Sequence, residues 1–177
     1  MAADHIQGQA WQTTFYMVAV IIPLILNWWA SRHDFKSHVH PFGVSAMIVS
    51  FWIANRFMGI YFHFPESRVL NPIFEFIGGG VCVAIWVAYR DMWARRMAGV
   101  FLLLAVIHAA FLPAWYVDRW FFHPSDAMRF TYTLCANMGL LLLLAVGASP
   151  GGGYAFRRLR DRMRDSSWSH HHSSGVA

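Results

Sequence analysis

Two apolar runs, Phe42 to His63 and Asn71 to Tyr89, are joined by a link containing Phe64-Pro65-Glu66-Ser67-Arg68. A helix rises 1.5 Å per residue, so about 20 residues cross a hydrocarbon core about 30 Å thick. Each run is about that long, and in hydrocarbon every backbone N–H and C=O must be bonded within the protein, so both are expected as membrane-spanning helices. The first run contains Arg56 and the second Glu75. An arginine at mid-span costs about 2.5–3.5 kcal/mol, so it should face protein, water or an opposite charge. At 3.6 residues per turn, Ser45, Trp52, Arg56, Gly59 and His63 share one stripe, and Glu75, Gly79, Cys82 and Trp86 another. The pattern predicts a hairpin with Arg56 facing Glu75 across a buried polar seam. Gly78-Gly79-Gly80 would let the two backbones approach.

The rest of the chain agrees. Of 177 residues, 57% are apolar and 13% charged, against about 25% charged in a soluble domain. The expected fold is all-α, a bundle of five transmembrane helices over residues 1–150, followed at 151–177 by a basic, flexible cytoplasmic tail. Helix 1 is expected from Trp11 to Ala30, with Trp11 and Trp28-Trp29 at the interfaces and Gln12, Tyr16, Ala19, Pro23 and Asn27 along a polar or small stripe. Ser31 to His40 reads as a polar link, and Arg90 to Arg96 as a tight basic turn. Helix 4 is expected from Met97 to Tyr116 and helix 5 from Phe130 to Ala148, where Pro150-Gly151-Gly152-Gly153 should break it. The N-terminus has neither the basic start nor the cleavage site of a secretory signal.

Charge sets the expected orientation. With the N-terminus outside, ten Lys and Arg fall on the cytoplasmic side and three outside, with Arg56 inside a span. Cytoplasmic segments carry the excess of Lys and Arg, so the N-terminus is expected out and the C-terminus in, across a bacterial cytoplasmic membrane.

Few residues are candidates for chemistry. Arg56 and Glu75 are read either as an ion pair that fixes helix register or as part of a path for protons, ions or an anionic ligand. His108, near mid-membrane, is expected to bond Asn137 or Thr133 on the next helix. The alternative is a haem or quinone contact, but His63 lies at a different depth and so does not supply a second axial ligand. The seam is therefore Arg56, Glu75, His63, His108 and Asn137. His63, Glu66, Asp118, His123 and Asp126 reach one surface without a metal-binding spacing, and no metal site is predicted. Cys82 and Cys135 are read as buried free thiols. No catalytic or nucleotide-binding motif occurs, so the chain is read as non-enzymatic, without cofactor and without a nucleic-acid partner. Arg157, Arg158, Arg160, Arg162 and Arg164 are placed to meet anionic lipid or simply to anchor the topology.

From Glu75 to Ala148 the layout resembles small multi-pass membrane proteins of proteobacterial phages and prophages. The resembling features are the turn Tyr89-Arg90-Asp91-Met92-Trp93-Ala94-Arg95-Arg96, a helix with central His108, and a helix with Asn137 before Leu140 to Leu144. The resemblance implies a membrane effector of the holin or exclusion kind. The leading expectation is a small integral membrane protein acting by helix association, either such an effector or an accessory subunit, with itself or other membrane proteins as partners. The alternative is a haem- or quinone-binding subunit of a redox complex around His108, Arg56 and Glu75.

Overall fold

The computed structural model describes residues 2–61, 67–120 and 126–172, and the side chains of 14, 17–58, 70–111 and 130–164. Five helices make up these residues: α1 (Ala2–His33), α2 (Phe35–Tyr61), α3 (Ser67–Tyr89), α4 (Met92–Trp120) and α5 (Asp126–His172). Among the described residues, three segments are long and apolar enough to cross a membrane: Leu70–Tyr89, Met92–Phe111 and Phe130–Arg164. The architecture is an all-helical bundle with the composition of a membrane protein. His63 lies outside the described residues.

Each helix packs on the next in chain order and α5 closes back on α1, with a further contact between α2 and α5. Helix α4 supplies most of the core. Its Met97, Val100, Phe101 and Leu104 recur at helical spacing and meet Cys82 of α3, Val44 of α2, and Leu140 and Leu143 of α5. Gly78 allows this approach, because a Cβ there would lie 2.8 Å from the Phe101 ring. The glycine run thus packs α3 against α4, whereas the sequence pattern predicts its close approach to α2. Cys82 and Cys135 are free thiols, Cys82 buried and Cys135 half-buried.

Two expected breaks are absent. The polar link at Ser31 to His40 shrinks to Asp34, which separates α1 from α2. Its carboxylate accepts the Ser37 N–H at 3.3 Å as an N-terminal cap, and Pro41 sits inside α2. Asp91 plays the same part for α4, accepting the Trp93 N–H at 2.8 Å. Arg90 before it takes a left-handed conformation, φ 56°, and makes the tight turn expected there.

The second absent break is at Pro150, which α5 passes through on its way to His172. The expected flexible tail at 151–177 is therefore helical as far as it is described. Proline has no N–H for the carbonyl four residues back, here Val146. That carbonyl accepts instead from the Trp93 Nε1–H at 2.7 Å and the Ser149 hydroxyl at 2.8 Å. One residue on, the Asn27 carboxamide donates to Gly147 O at 2.9 Å and accepts from Gly151 N–H at 3.0 Å. Those two backbone groups are the next rung of the helical ladder. Side chains of α1 and α4 thus repair α5 where its own sequence would end it.

Candidate functional site

The buried polar groups form two layers. The first joins α1, α2 and α5. Asn27 is wholly buried, and its Nδ2 also donates to the Ser45 hydroxyl at 2.9 Å. Ser45 in turn donates to Pro41 O at 2.8 Å. Every polar atom of that carboxamide is bonded, which buried polar groups require. Below it, Tyr154 of α5 packs edge-on to Trp29 at 5.6 Å and to His38 at 5.3 Å, and stacks on His33 at 6.3 Å. Arg158 lies over the Trp29 ring at 5.5 Å.

His38 is 5% exposed, and its Nδ1 has no hydrogen-bond partner among the described residues. Burial holds its pKa below the ordinary histidine value. Asp34 opposes that shift and Arg157 reinforces it. A base with a depressed folded pKa binds fewer protons folded than unfolded just below its ordinary value near 6.5. Its contribution to stability is therefore complete above that pH and is lost as the pH falls through it. The melting temperature of the purified protein should decline below about pH 6.5, and less steeply in His38→Phe. Equal slopes in the two proteins would remove His38 as the cause.

The second layer holds the candidate site. His108 Nδ1 lies 2.8 Å from Glu75 Oε1 and 2.9 Å from Oε2, joining α4 to α3. The His108 and Glu75 side chains are 9% and 13% exposed. The Tyr132 ring of α5 stands edge-on to the imidazole at 5.8 Å, and Phe111 stands edge-on to Tyr132 at 5.2 Å. Glu75, His108 and Tyr132 lie about 21 Å along their helices from Tyr89, Trp93 and Val146 respectively. Equal spacing on three helices brings them to one depth.

The pattern at 3.6 residues per turn misassigned these partners. Glu75 meets His108, while Arg56 is exposed on α2 with its guanidinium 5.9 Å from the Trp52 ring. His108 meets Glu75, where Asn137 or Thr133 is the expected partner. Asn137 is half-buried on α5 and stands outside the pair. Helices α2 and α3 meet instead through stacked Phe51 and Phe74, 4.7 Å apart, and through Asn55, which donates to Asn71 at 2.6 Å. Asn27 belongs to the small and polar stripe of α1, so its burial was legible. Asn55 and Asn71 carry no signal beyond their polarity in apolar runs.

Chemically, the pair holds one transferable proton. It is either carboxylate with imidazolium or carboxylic acid with neutral imidazole, and both states are neutral overall. That neutrality makes the pair tolerable among apolar neighbours. With Nδ1 facing the carboxylate, Nε2 remains as the second functional atom. A carboxylate behind one ring nitrogen raises the basicity of the other, as in many ligating histidines. Among the described residues no three His, Cys, Asp or Glu side chains gather as metal ligands. Of the tail arginines, Arg157, Arg160, Arg162 and Arg164 are exposed and Arg158 is half-buried beside Trp29.

No protein-family model, curated protein or solved structure matches the chain.

Proposed function

We propose that the chain is a small integral protein of the bacterial cytoplasmic membrane, with five spanning helices and the N-terminus outside, that acts by helix association. One observation carries the reading. Helix α3 is the least buried of the three apolar candidate spans, and its exposed side presents Gly80, Ala84 and Ala88 in a row. Small residues four apart let two helices approach closely in lipid, where packing replaces the hydrophobic effect as the driving force. A Cβ added at Gly80 would meet nothing within 4 Å, so no helix of this chain occupies that row. Phe76, Ile77, Val83 and Val87 border it, and Ile77 and Val87 are 49% and 60% exposed. Either a phage-type membrane effector or an accessory subunit uses such a surface, on a second copy or on another membrane protein.

The orientation is supported by the ten-to-three division of Lys and Arg. It is further supported by the alternation of helix ends. His40 stacks on Tyr89 at 4.4 Å and Trp93 reaches Val146, so the start of α2, the end of α3, the start of α4 and the middle of α5 lie together. Cysteine labelling from outside intact cells should reach position 67 and not position 37.

The association test compares oligomeric state in lipid nanodiscs for the wild type, Gly80→Leu and Ala84→Leu. Both substitutions should dissolve the assembly without lowering the melting temperature, since neither site is packed. A wild-type monomer that also brings down no membrane partner, or variants that assemble normally, would end the proposal.

A second reading rests on the Glu75–His108 pair, since an ionisable pair inside a membrane is a functional candidate by position. It makes the chain a haem- or quinone-binding subunit, with His108 Nε2 as the contacting atom.

A further inference from the structure

We propose that the C-terminal half of α5 is a docking surface for anionic phospholipid, laid into the cytoplasmic headgroup layer. The inference rests on reading the chain as membrane-spanning and does not depend on its association through α3.

The expected flexible tail is an ordered continuation of α5, and it is two-faced. At 100° per residue, Phe156, Leu159 and Met163 lie within about 60° of one another. They are 67%, 57% and 57% exposed. Arg160, Arg164 and Arg157 flank this stripe on one side, and Arg162 and Arg158 on the other, while Asp161 stands opposite. Tyr154, which holds α5 to Trp29, His33 and His38, is also on the opposite face. The apolar stripe therefore points away from the bundle.

The stripe is continuous with the lipid-facing side of the spanning part. Leu134, Met138 and Leu141 lie on the same side of α5 and are 51%, 55% and 44% exposed. From Phe130 to Met163 the helix is about 50 Å long. A bilayer is about 40–45 Å thick with both headgroup layers. One apolar face therefore outruns the hydrocarbon, and its last turns fall where phosphates lie.

Charge selects the occupant. Residues 154–164 carry five arginines and one aspartate. Two such helices packed stripe to stripe would bring their flanking arginines together. A layer of anionic headgroups neutralises the same arginines while acyl chains cover Phe156, Leu159 and Met163. The guanidinium forks match phosphate oxygens.

The test uses the full chain reconstituted in bilayers of phosphatidylcholine, with or without phosphatidylglycerol. Polarity-sensitive fluorophores are placed by Leu159→Cys or Asp161→Cys, in a background of Cys82→Ala and Cys135→Ala. With phosphatidylglycerol, the label at 159 should shift to the blue and resist iodide quenching several-fold better than the label at 161. Removing the anionic lipid, or changing Arg160, Arg162 and Arg164 together to Gln, should abolish the difference. Equal quenching at both positions with phosphatidylglycerol would overturn the proposal. So would protection at 159 that persists in pure phosphatidylcholine, or that depends on protein density, which marks a second copy as occupant. A spanning chain whose tail stands in water gives the first of these failures while labelling at 67 still succeeds, so the two readings fail separately.

Discussion

Gly151→Ala is expected to be among the most damaging single-methyl additions in this protein. A Cβ at that position would lie 2.5 Å from the carbonyl carbon and oxygen of Leu26 and 2.8 Å from the Asn27 nitrogen. All three are backbone atoms, so no side chain can swing aside. Helix α1 or α5 must move, and overpacking of this kind costs about 1–3 kcal/mol or more. The movement would also pull Asn27 away from Gly147 O and Gly151 N–H, and a buried unpaired backbone group costs about 1–3 kcal/mol. Thermal unfolding of purified protein should show a large fall in melting temperature for Gly151→Ala. Gly152→Ala, where an added Cβ meets nothing within 4 Å, should be neutral or mildly stabilising, because alanine is the better helix former. Asn27→Leu should fall between them, since the exposed rung can partly close on itself once the carboxamide is gone. Equal melting temperatures for Gly151→Ala and Gly152→Ala would show that α1 and α5 do not cross as closely as described.

The second large effect is at the Glu75–His108 pair. His108→Leu leaves the Glu75 carboxyl buried without its imidazole, and breaking a buried pair from one side costs about 3–5 kcal/mol. Glu75→Gln should be much milder, because an amide oxygen still accepts from Nδ1–H. Glu75→Leu combined with His108→Leu should recover stability relative to His108→Leu alone, and the recovery measures the coupling of the two side chains. Arg56→Ala should cost less than His108→Leu, since its guanidinium lies on an exposed face over Trp52. Additive single effects at 75 and 108 would contradict the contact. The same proteins separate the two functional readings. Retained association and no visible absorbance in the double variant and the wild type favour a structural pair. A Soret band in the wild type that vanishes in His108→Ala assigns His108 to haem.

Much of the architecture follows from the sequence alone, because helix type and approximate span depend on local properties. Apolar runs of bilayer length and the asymmetric Lys and Arg content are visible residue by residue, and they predict the five helices found in the bundle. The tight turn at Arg90-Asp91 is equally local, since Asp91 caps the helix it begins. The pairing of polar residues is not local. Periodicity places Glu75 and Cys82 on one face of α3 but says nothing about which neighbour that face meets. Packing chose α4, because Gly78 admits the Phe101 ring and turns Glu75 toward His108 and away from Arg56. The run Pro150-Gly151-Gly152-Gly153 shows the same division. By local rules it ends a helix, and in isolation the carbonyl of Val146 would be bare. In the folded chain the Trp93 indole fills that vacancy and the Asn27 carboxamide spans the next rung, more than a hundred residues away in sequence. The elements were decided by properties that each segment carries alone. The partners of Glu75 and the continuation of α5 were decided by hydrogen bonds and van der Waals contacts that exist only once distant segments have packed.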